Sequence, residues 1–341
     1  MKKIAIIGGG IAGSQTAVKL AEAGNDVIII ENSDTVGGNI KEFGCKAVDI
    51  CLKDNLCLVD DIFTQVNQDE NIDIYFQTRV NDFWGKPGSY SLGIEREGVF
   101  SSIDELDYIV VATGYTRFSE LETGTPEVYS DKKIVWASEL EEYFKGRKDH
   151  IEDNDNKLNL DFTPKSAVFI QCNGSRSIQE KARYCSKVCC GYSYRMARVL
   201  KHFYPDIEIN IFFMDLQEGG YLQELSYKKL DENDIGYINC KPIKVKSDEN
   251  KVNIFYEDQN KGIKENIKTD LLVLSEGIHA KKVNEVWSRL FNLQLDKYGF
   301  LYPIEDEKET QIYLAGTIKG PKDIAGTLSD SKNVAYKIMN D

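Results

Sequence analysis

The amino-acid sequence predicts an α/β chain in which two strand–helix–strand units build two open, parallel-sheet domains. Residues 3–7 (KIAII) form a short apolar run closed by glycines. Ile11, Ala12, Thr16, Ala17, Leu20 and Ala21 follow at helical spacing, and a second apolar run, VIIIE, occupies 27–31. The same order recurs later, with AVFIQC at 167–172, a helix near 188–203 and EINIFFM at 208–214. Strands alternating with helices in this way pair in parallel.

Between these units, from 73 to 111, the pattern changes to short β-rich segments, IDIYFQT, YSLGIERE and DYIVVATG, with Lys86-Pro87-Gly88 as a turn. A β-meander returning to the first sheet is expected there. The stretch 145–165 is charged, Asn-rich and poorly periodic, which suits a linker. NIFYED and DLLVLSEG read as strands closing the second domain, and YLAGTIKGPKDIAGTLSDSKNVAYKI reads as a strand, a loop and a helix. The expected boundaries are 1–120 plus 286–341 for the first domain, 121–165 for the linker and 166–285 for the second domain.

With 341 residues, 42% of them hydrophobic, the chain has material for a substantial core. A net charge of -13 repels phosphate backbones and anionic membrane surfaces, so nucleic acid is excluded as an expected partner. The opening apolar run is too short for a signal segment, and no later stretch reaches membrane-spanning length. A cytoplasmic protein without direct membrane insertion is expected. In a reducing compartment its eight cysteines point to metal ligation or redox chemistry rather than disulfides.

Gly8-Gly9-Gly10-Ile11-Ala12-Gly13 satisfies the G-x-G-x-x-G pattern directly after a strand and at the start of a helix, with Glu31 eighteen residues beyond the last glycine. Gly8 permits the tight turn, Gly10 lets backbone N–H groups approach a pyrophosphate, and Gly13 allows close helix–strand packing. The helix N-terminus favours the anion. Glu31 is placed to accept hydrogen bonds from a ribose. The Gly37-Gly38 pair, Val111-Ala112-Thr113-Gly114 and Leu314-Ala315-Gly316 extend this pattern. With them the chain resembles the flavoproteins with two dinucleotide-binding domains, such as thioredoxin reductase.

That resemblance implies two Rossmann-like domains of the thioredoxin/glutathione reductase type, the second inserted in the first, and FAD as cofactor. It implies FAD contacts at Gly8, Gly10, Ile11, Ala12, Gly13, Glu31, Gly38, Asn39, Val80, Ala112, Thr113, Gly114, Gly316, Thr317, Lys322, Asp323 and Ile324. Thr317 stands where those flavoproteins carry an aspartate. The ribityl contact is therefore expected to be weaker, to come from the threonine hydroxyl, or to be made by Asp323. Lys322, ahead of the last helix, is the expected catalytic residue, since a cation there stabilises an anionic reduced flavin. A solvated loop lysine is the alternative.

Cys172, Cys185, Cys189 and Cys190 have the spacing C-x12-C-x3-C-C, the first at a strand end and the last two at a helix start. Four thiolates suit an iron–sulfur cluster. They also suit zinc, although adjacent cysteines are unusual in the paired C-x2-C knuckles of structural zinc sites. Buried packing cysteines and a vicinal disulfide are the other readings. FIQCNGSRS followed by YCSKVCC, together with AGTIKGPKDIAGTL, resembles the A subunit of heterodisulfide reductase and its sulfur-oxidation and quinone-linked relatives. The resemblance implies a [4Fe-4S] cluster on these four cysteines beside FAD, partner subunits of a heterodisulfide-reductase-like complex, and a homodimer. No ferredoxin motif C-x2-C-x2-C-x3-C-P occurs, so a short form is expected.

In the second unit, QCNGSR retains only Gly174 of a nicotinamide fingerprint, and Cys189 and Cys190 lie at the helix start where a pyrophosphate would bind. A cluster in place of a nicotinamide cofactor follows. The function expected is therefore an FAD- and [4Fe-4S]-containing electron-transfer oxidoreductase. The alternatives are a self-contained NAD(P)H-dependent disulfide reductase and a scaffold stabilised by zinc and FAD. A second cluster is a further expectation at Cys45, Cys51, Asp54 and Cys57, where Cys51-x2-Asp54-x2-Cys57 has ferredoxin-like spacing with a carboxylate in the middle. Packing cysteines beside a solvated Asp54 are the alternative.

Overall fold

A computed structural model describes residues 1–43, 58–118, 131–145, 162–217, 234–259 and 261–341. These residues divide into two compact units. The first gathers those up to Lys41, those between Lys46 and Thr116, and those from His279 to Asp341; the second takes Arg117 to Ile278 together with Glu42. The second unit is inserted in the first.

β1 (Lys3–Ile7), α1 (Ile11–Glu22) and β2 (Asp26–Ile30) open the first unit, with Lys3 opposite Asp26 and Ile7 opposite Ile30 in a parallel pair. α2 (Leu58–Gln68) leads into β3 (Ile72–Tyr75), which adds to β2 in parallel. β4 (Thr78–Lys86), β5 (Ser89–Arg96) and β6 (Val99–Leu106) form a separate antiparallel sheet, and β7 (Tyr108–Val111) returns to pair with β1. The IDIY segment thus belongs to the parallel sheet rather than to the meander. Ile72 and Ile74 pack into the core on the α1 side, and α2 supplies the crossover that a parallel addition requires.

Period-two alternation puts Ile4 and Ile6 against α1 and α2, and Ala5 and Ile7 against the meander residues Leu92, Ile103 and Leu106. Burial on both faces explains why β1 and β2 are continuous apolar runs.

The chain leaves this unit through β8 (Thr116–Arg117). In the second unit β9 (Ile134–Trp136) and α3 (Ala137–Lys145) are followed by β10 (Ser166–Asn173), α4 (Cys189–Phe203), β11 (Glu208–Phe213) and β12 (Ile235–Asn239). β13 (Lys244–Ser247), β14 (Val252–Asp258) and β15 (Ile263–Thr269) form an antiparallel layer before β16 (Leu271–Glu276). The parallel sheet runs in the order β12-β11-β10-β16-β9. On one face Val168, Ile170 and Leu272 pack against Val252 and Ile254 of the antiparallel layer. On the other, Phe169 and Val273 pack against Leu140, Met196 and Leu200 of α3 and α4.

Residues 131–145, expected in the linker, instead build β9 and α3 of this sheet. An apolar run of three residues among charged neighbours is too short to register as a strand, yet Ile134 and Val135 are buried by their pairing with β16. Residues 146–161 lie outside the described residues.

β17 (Ile278–His279) brings the chain back, so residues 279–285, expected in the second domain, lie in the first unit. β18 (Leu293–Leu295) and β19 (Leu301–Pro303) pair antiparallel. β20 (Ile312–Leu314) then completes the order β20-β7-β1-β2-β3, and the C-terminal helix Ile324–Met339 buries Val334, Ala335 and Ile338 in the core shared with α1. Among the described residues no helix is long and apolar enough to cross a membrane.

Asp270, between β15 and β16, fastens the start of β10. Its carboxylate accepts the backbone N–H of Lys165 at 2.9 Å and of Ser166 at 3.0 Å, accepts the Ser166 hydroxyl at 3.1 Å, and pairs with Lys251 at 3.2 Å. Burial alone would push this carboxyl up; the Lys165 N–H, Lys251 and Ser166 outweigh it and hold it below the usual carboxylate range. Because the folded value is depressed, the stabilisation is present above the unfolded value of about 3.9 and is lost as pH falls through it toward the folded one. Asp270→Asn is expected to cost about 1–3 kcal/mol at pH 7. In urea unfolding followed by circular dichroism, the gap between wild type and variant narrows as pH is lowered toward 3.

Candidate functional site

The first candidate site surrounds the glycine loop between β1 and α1. Gly8 has φ +105°, and a Cβ on it would stand 2.7 Å from the Ala112 carbonyl oxygen. A Cβ on Gly13 would run into the Gly8 carbonyl oxygen, so helix and loop meet backbone to backbone. A Cβ on Gly10, by contrast, would meet nothing within 4 Å. Gly10 is the N-cap of α1 and no side chain caps the helix, so the N–H groups of Ile11, Ala12 and Gly13 in its first turn have no side-chain cap. The Gly9 carbonyl accepts the Gly37 N–H at 2.8 Å, and Gly38, at φ +53°, lies against Gly10.

Glu31 turns toward the loop. One carboxylate oxygen accepts the Gly9 N–H at 2.7 Å, and the other accepts the Ser33 N–H and hydroxyl at 2.8 Å each. Asn39 donates to the Tyr115 carbonyl at 3.1 Å, and Val80 is buried on β4. At the end of β7, Ala112 donates to the Ile7 carbonyl, and the Thr113 hydroxyl is buried without a hydrogen-bond partner. Gly114, at φ +78°, places its Cβ direction 4.0 Å from the Thr317 hydroxyl.

At the end of β20, a Cβ on Gly316 would stand 2.5 Å from the Ala12 Cβ. The Lys322 ammonium donates to the Gly316 carbonyl at 3.0 Å. Asp323 caps the C-terminal helix, whose first residue is Ile324, by accepting the Gly326 N–H at 2.6 Å. Asp330, which sequence reasoning missed, reaches back to accept the Gly316 N–H at 2.7 Å and pairs with Lys319 at 2.8 Å. No local pattern marks it, because it acts from two turns inside a helix.

The second candidate site is the loop from β10 to α4, within the second unit. Cys172 sits at φ +63°, where β10 changes register between Ile170 and Asn173. Its carbonyl accepts the Ser175 N–H, and the Asn173 carbonyl accepts the Gly277 N–H. Ser177 and Ala182 pair antiparallel, the Tyr184 hydroxyl donates to the Ile278 carbonyl at 2.9 Å, and the buried Ser186 hydroxyl accepts the Ile278 N–H at 2.9 Å. The long loop is thus pinned along its course.

Cys185 accepts the Lys187 N–H at 3.2 Å, Cys189 donates to the Glu276 carbonyl at 3.6 Å, and Cys190 donates to the Gln171 side-chain oxygen at 3.4 Å. Burial, then the nearness of Cys190 and Cys185, pushes the Cys172 thiol up to about 11 against the pull of Arg176 and Lys241. Burial, then Cys172, Cys190 and Cys185, pushes Cys189 higher still. Arg176 forms an ion pair with Asp215. The Ser175 hydroxyl is buried without a partner.

The four sulfurs therefore act on one another electrostatically, although Cys185, Cys189 and Cys190 each bond to a different group. Among the described residues no three His, Cys, Asp or Glu side chains already stand together as metal ligands. Cys45, Cys51, Asp54 and Cys57 lie outside the described residues.

Residues 6–49 match the model of the NAD(P)-binding Rossmann-like domain family. The chain is 25% identical to the A subunit of the ferredoxin/F420H2-dependent CoB-CoM heterodisulfide reductase from Methanosarcina acetivorans, over 99% of this chain and 53% of that protein. It is 30% identical to the iron-sulfur A subunit of CoB-CoM heterodisulfide reductase from Methanocaldococcus jannaschii, over 51% of this chain and 28% of that protein. At its fullest coverage it spans about half the length of these curated relatives. The thioredoxin reductase of T. acidophilum has the same fold, with a TM-score of 0.61 at 18% identity over 100% of this chain and 99% of that one. These relatives and neighbours are oxidoreductases by name. The chain is thus a homologue of the A subunit of heterodisulfide reductase, built on the thioredoxin-reductase-like fold of two Rossmann-like domains.

Proposed function

We propose that this chain is an FAD- and [4Fe-4S]-bearing electron-transfer subunit of a heterodisulfide-reductase-like complex. The observation that carries the reading is that Cys172 at the end of β10, Cys185 in the loop, and Cys189 and Cys190 at the start of α4 influence one another electrostatically, along the strand-to-helix connection where the first unit has a bare glycine loop. When bound, FAD exchanges two electrons or one, and the cluster exchanges one at a time.

The residues fit both groups. At the glycine loop, the uncapped first turn of α1, the open space at Gly10 and the orphaned Thr113 hydroxyl suit a diphosphate-linked ligand with polar atoms of its own. Ile11, Ala12 and Gly13 would hold the pyrophosphate, Glu31 the ribose, and Thr113 with Thr317 the flavin side. Thr317 rather than Asp323 supplies the polar group there, since Asp323 is engaged as a helix cap.

In the second unit, four soft donors without a carboxylate among them suit iron and sulfide. Burial disfavours bare thiolates, and binding to iron removes that penalty while Arg176 and Lys241 offset the remaining negative charge near Cys172. Electrons leave to partner subunits, for which the names of the relatives provide the support.

The first test is composition. Anaerobically purified chain is expected to show flavin absorption with a broad iron–sulfur shoulder that bleaches on reduction, and about four iron atoms. Zinc without iron removes the reading in favour of a scaffold, and rapid flavin reduction by NADH or NADPH alone favours a self-contained reductase. Seven or eight iron atoms per chain add a second cluster at Cys45, Cys51, Asp54 and Cys57.

Gly10→Val is expected to fold, since the protein leaves room at that position, and to purify without flavin. Gly13→Ala is expected to lose both flavin and thermal stability, because its methyl collides with the Gly8 carbonyl. Cys185→Ala is expected to lose its iron and keep its flavin, as metal analysis and absorption will read. Lys322→Met is expected to lower the flavin midpoint potential in a redox titration, by removing a cation fixed at the Gly316 carbonyl.

A further inference from the structure

Tyr192 lies three residues beyond Cys189 on α4, so the two share a helix face. Its hydroxyl donates to the Glu276 carbonyl at 2.8 Å. The Cys189 thiol donates to the same carbonyl at 3.6 Å. Cys189 and Ser275 both interact electrostatically with the phenol. Behind it, Ser275 meets Ser193 at 2.8 Å, and Ser193 donates to the Cys189 carbonyl at 2.6 Å. Both serines are fully buried. A tyrosine O–H and a cysteine S–H thus converge on one acceptor, inside a polar network that holds the Cys189 backbone.

Iron changes the count of donors. As an Fe–S bond forms at Cys189, the S–H bond breaks and its proton passes to water. The Glu276 carbonyl loses one donor, and a buried sulfur with negative charge appears where a weak donor stood. Tyr192 has the hydroxyl that already meets the Cys189 sulfur at that carbonyl.

We infer that Tyr192 is a positioning residue for the cluster, its hydroxyl shared between the Glu276 carbonyl and the Cys189 thiolate. The inference rests on the iron–sulfur reading above. A donor on a ligating sulfur stabilises the more negative, reduced state and raises the potential of the cluster. It also fixes the direction from which Cys189 approaches the metal.

Tyr192→Phe removes the hydroxyl and keeps the ring. In the full chain, purified anaerobically, the variant is expected to retain iron and flavin in wild-type ratio. Its cluster potential in an EPR-monitored titration falls, and its Fe–S(Cys) stretching bands in resonance Raman move to higher frequency. Wild-type potential and bands in an iron-replete Tyr192→Phe protein overturn the inference and leave the cluster assignment intact. Absence of iron from the wild-type chain overturns both. Site-specific Tyr192→3-fluorotyrosine, a stronger donor of nearly the same size, decides the matter even if the phenylalanine variant does not fold. It is expected to raise the potential, and an unchanged potential overturns the inference.

Discussion

At Gly13 the first helix rests on the turn before it, backbone on backbone, with no side chain between them. Every other contact of the glycine loop is arranged around this fit. Gly8 adopts a conformation closed to other residues, the Gly9 N–H is held by Glu31 and its carbonyl by Gly37, and the end of β20 approaches α1 closely enough to require Gly316. Four segments far apart in sequence are thereby fixed at one helix start, whose N–H groups are left without caps. The loop is built chiefly of backbone contacts, with the Glu31 carboxylate as its side-chain support.

The second unit keeps this strand-to-helix geometry and changes what stands in it. Cys172 takes a left-handed conformation that costs a residue with a Cβ on the order of 1 kcal/mol, which the bonds to Ser175 and Gly277 around it offset. Cys189 and Cys190 occupy the first turn of α4, whose dipole favours negative charge. Burial works the other way and holds the thiols protonated until a ligand takes their protons. The two effects oppose each other at these thiols, and burial is the larger.

Much of this was legible in the sequence because the signals are contiguous. The glycine fingerprint, the apolar runs of β1, β2 and β10, and the helix that opens on Cys189 and Cys190 each declare themselves within one window. β9 did not, because three residues carry no period. β4 and β6 did not, because most of their side chains face solvent and only Thr78, Val80, Ile103 and Leu106 are buried. Tyr192, Glu276 and Asp330 were invisible for a different reason: each acts across the fold on atoms distant in sequence, and no local spacing encodes such a meeting. Thr317 was legible as a departure from a pattern, and its nearness to Gly114 required three dimensions.

The discontinuity of the first unit bears on how the protein is made. β7 pairs on one side with β1 and on the other with β20, a strand synthesised only after the whole second unit, and the C-terminal helix that completes the α1 core follows later still. On the ribosome the second unit has all its strands before the first has its last. The cysteine loop is therefore complete while the glycine loop still lacks its Gly316 wall, so the second unit can close before the first.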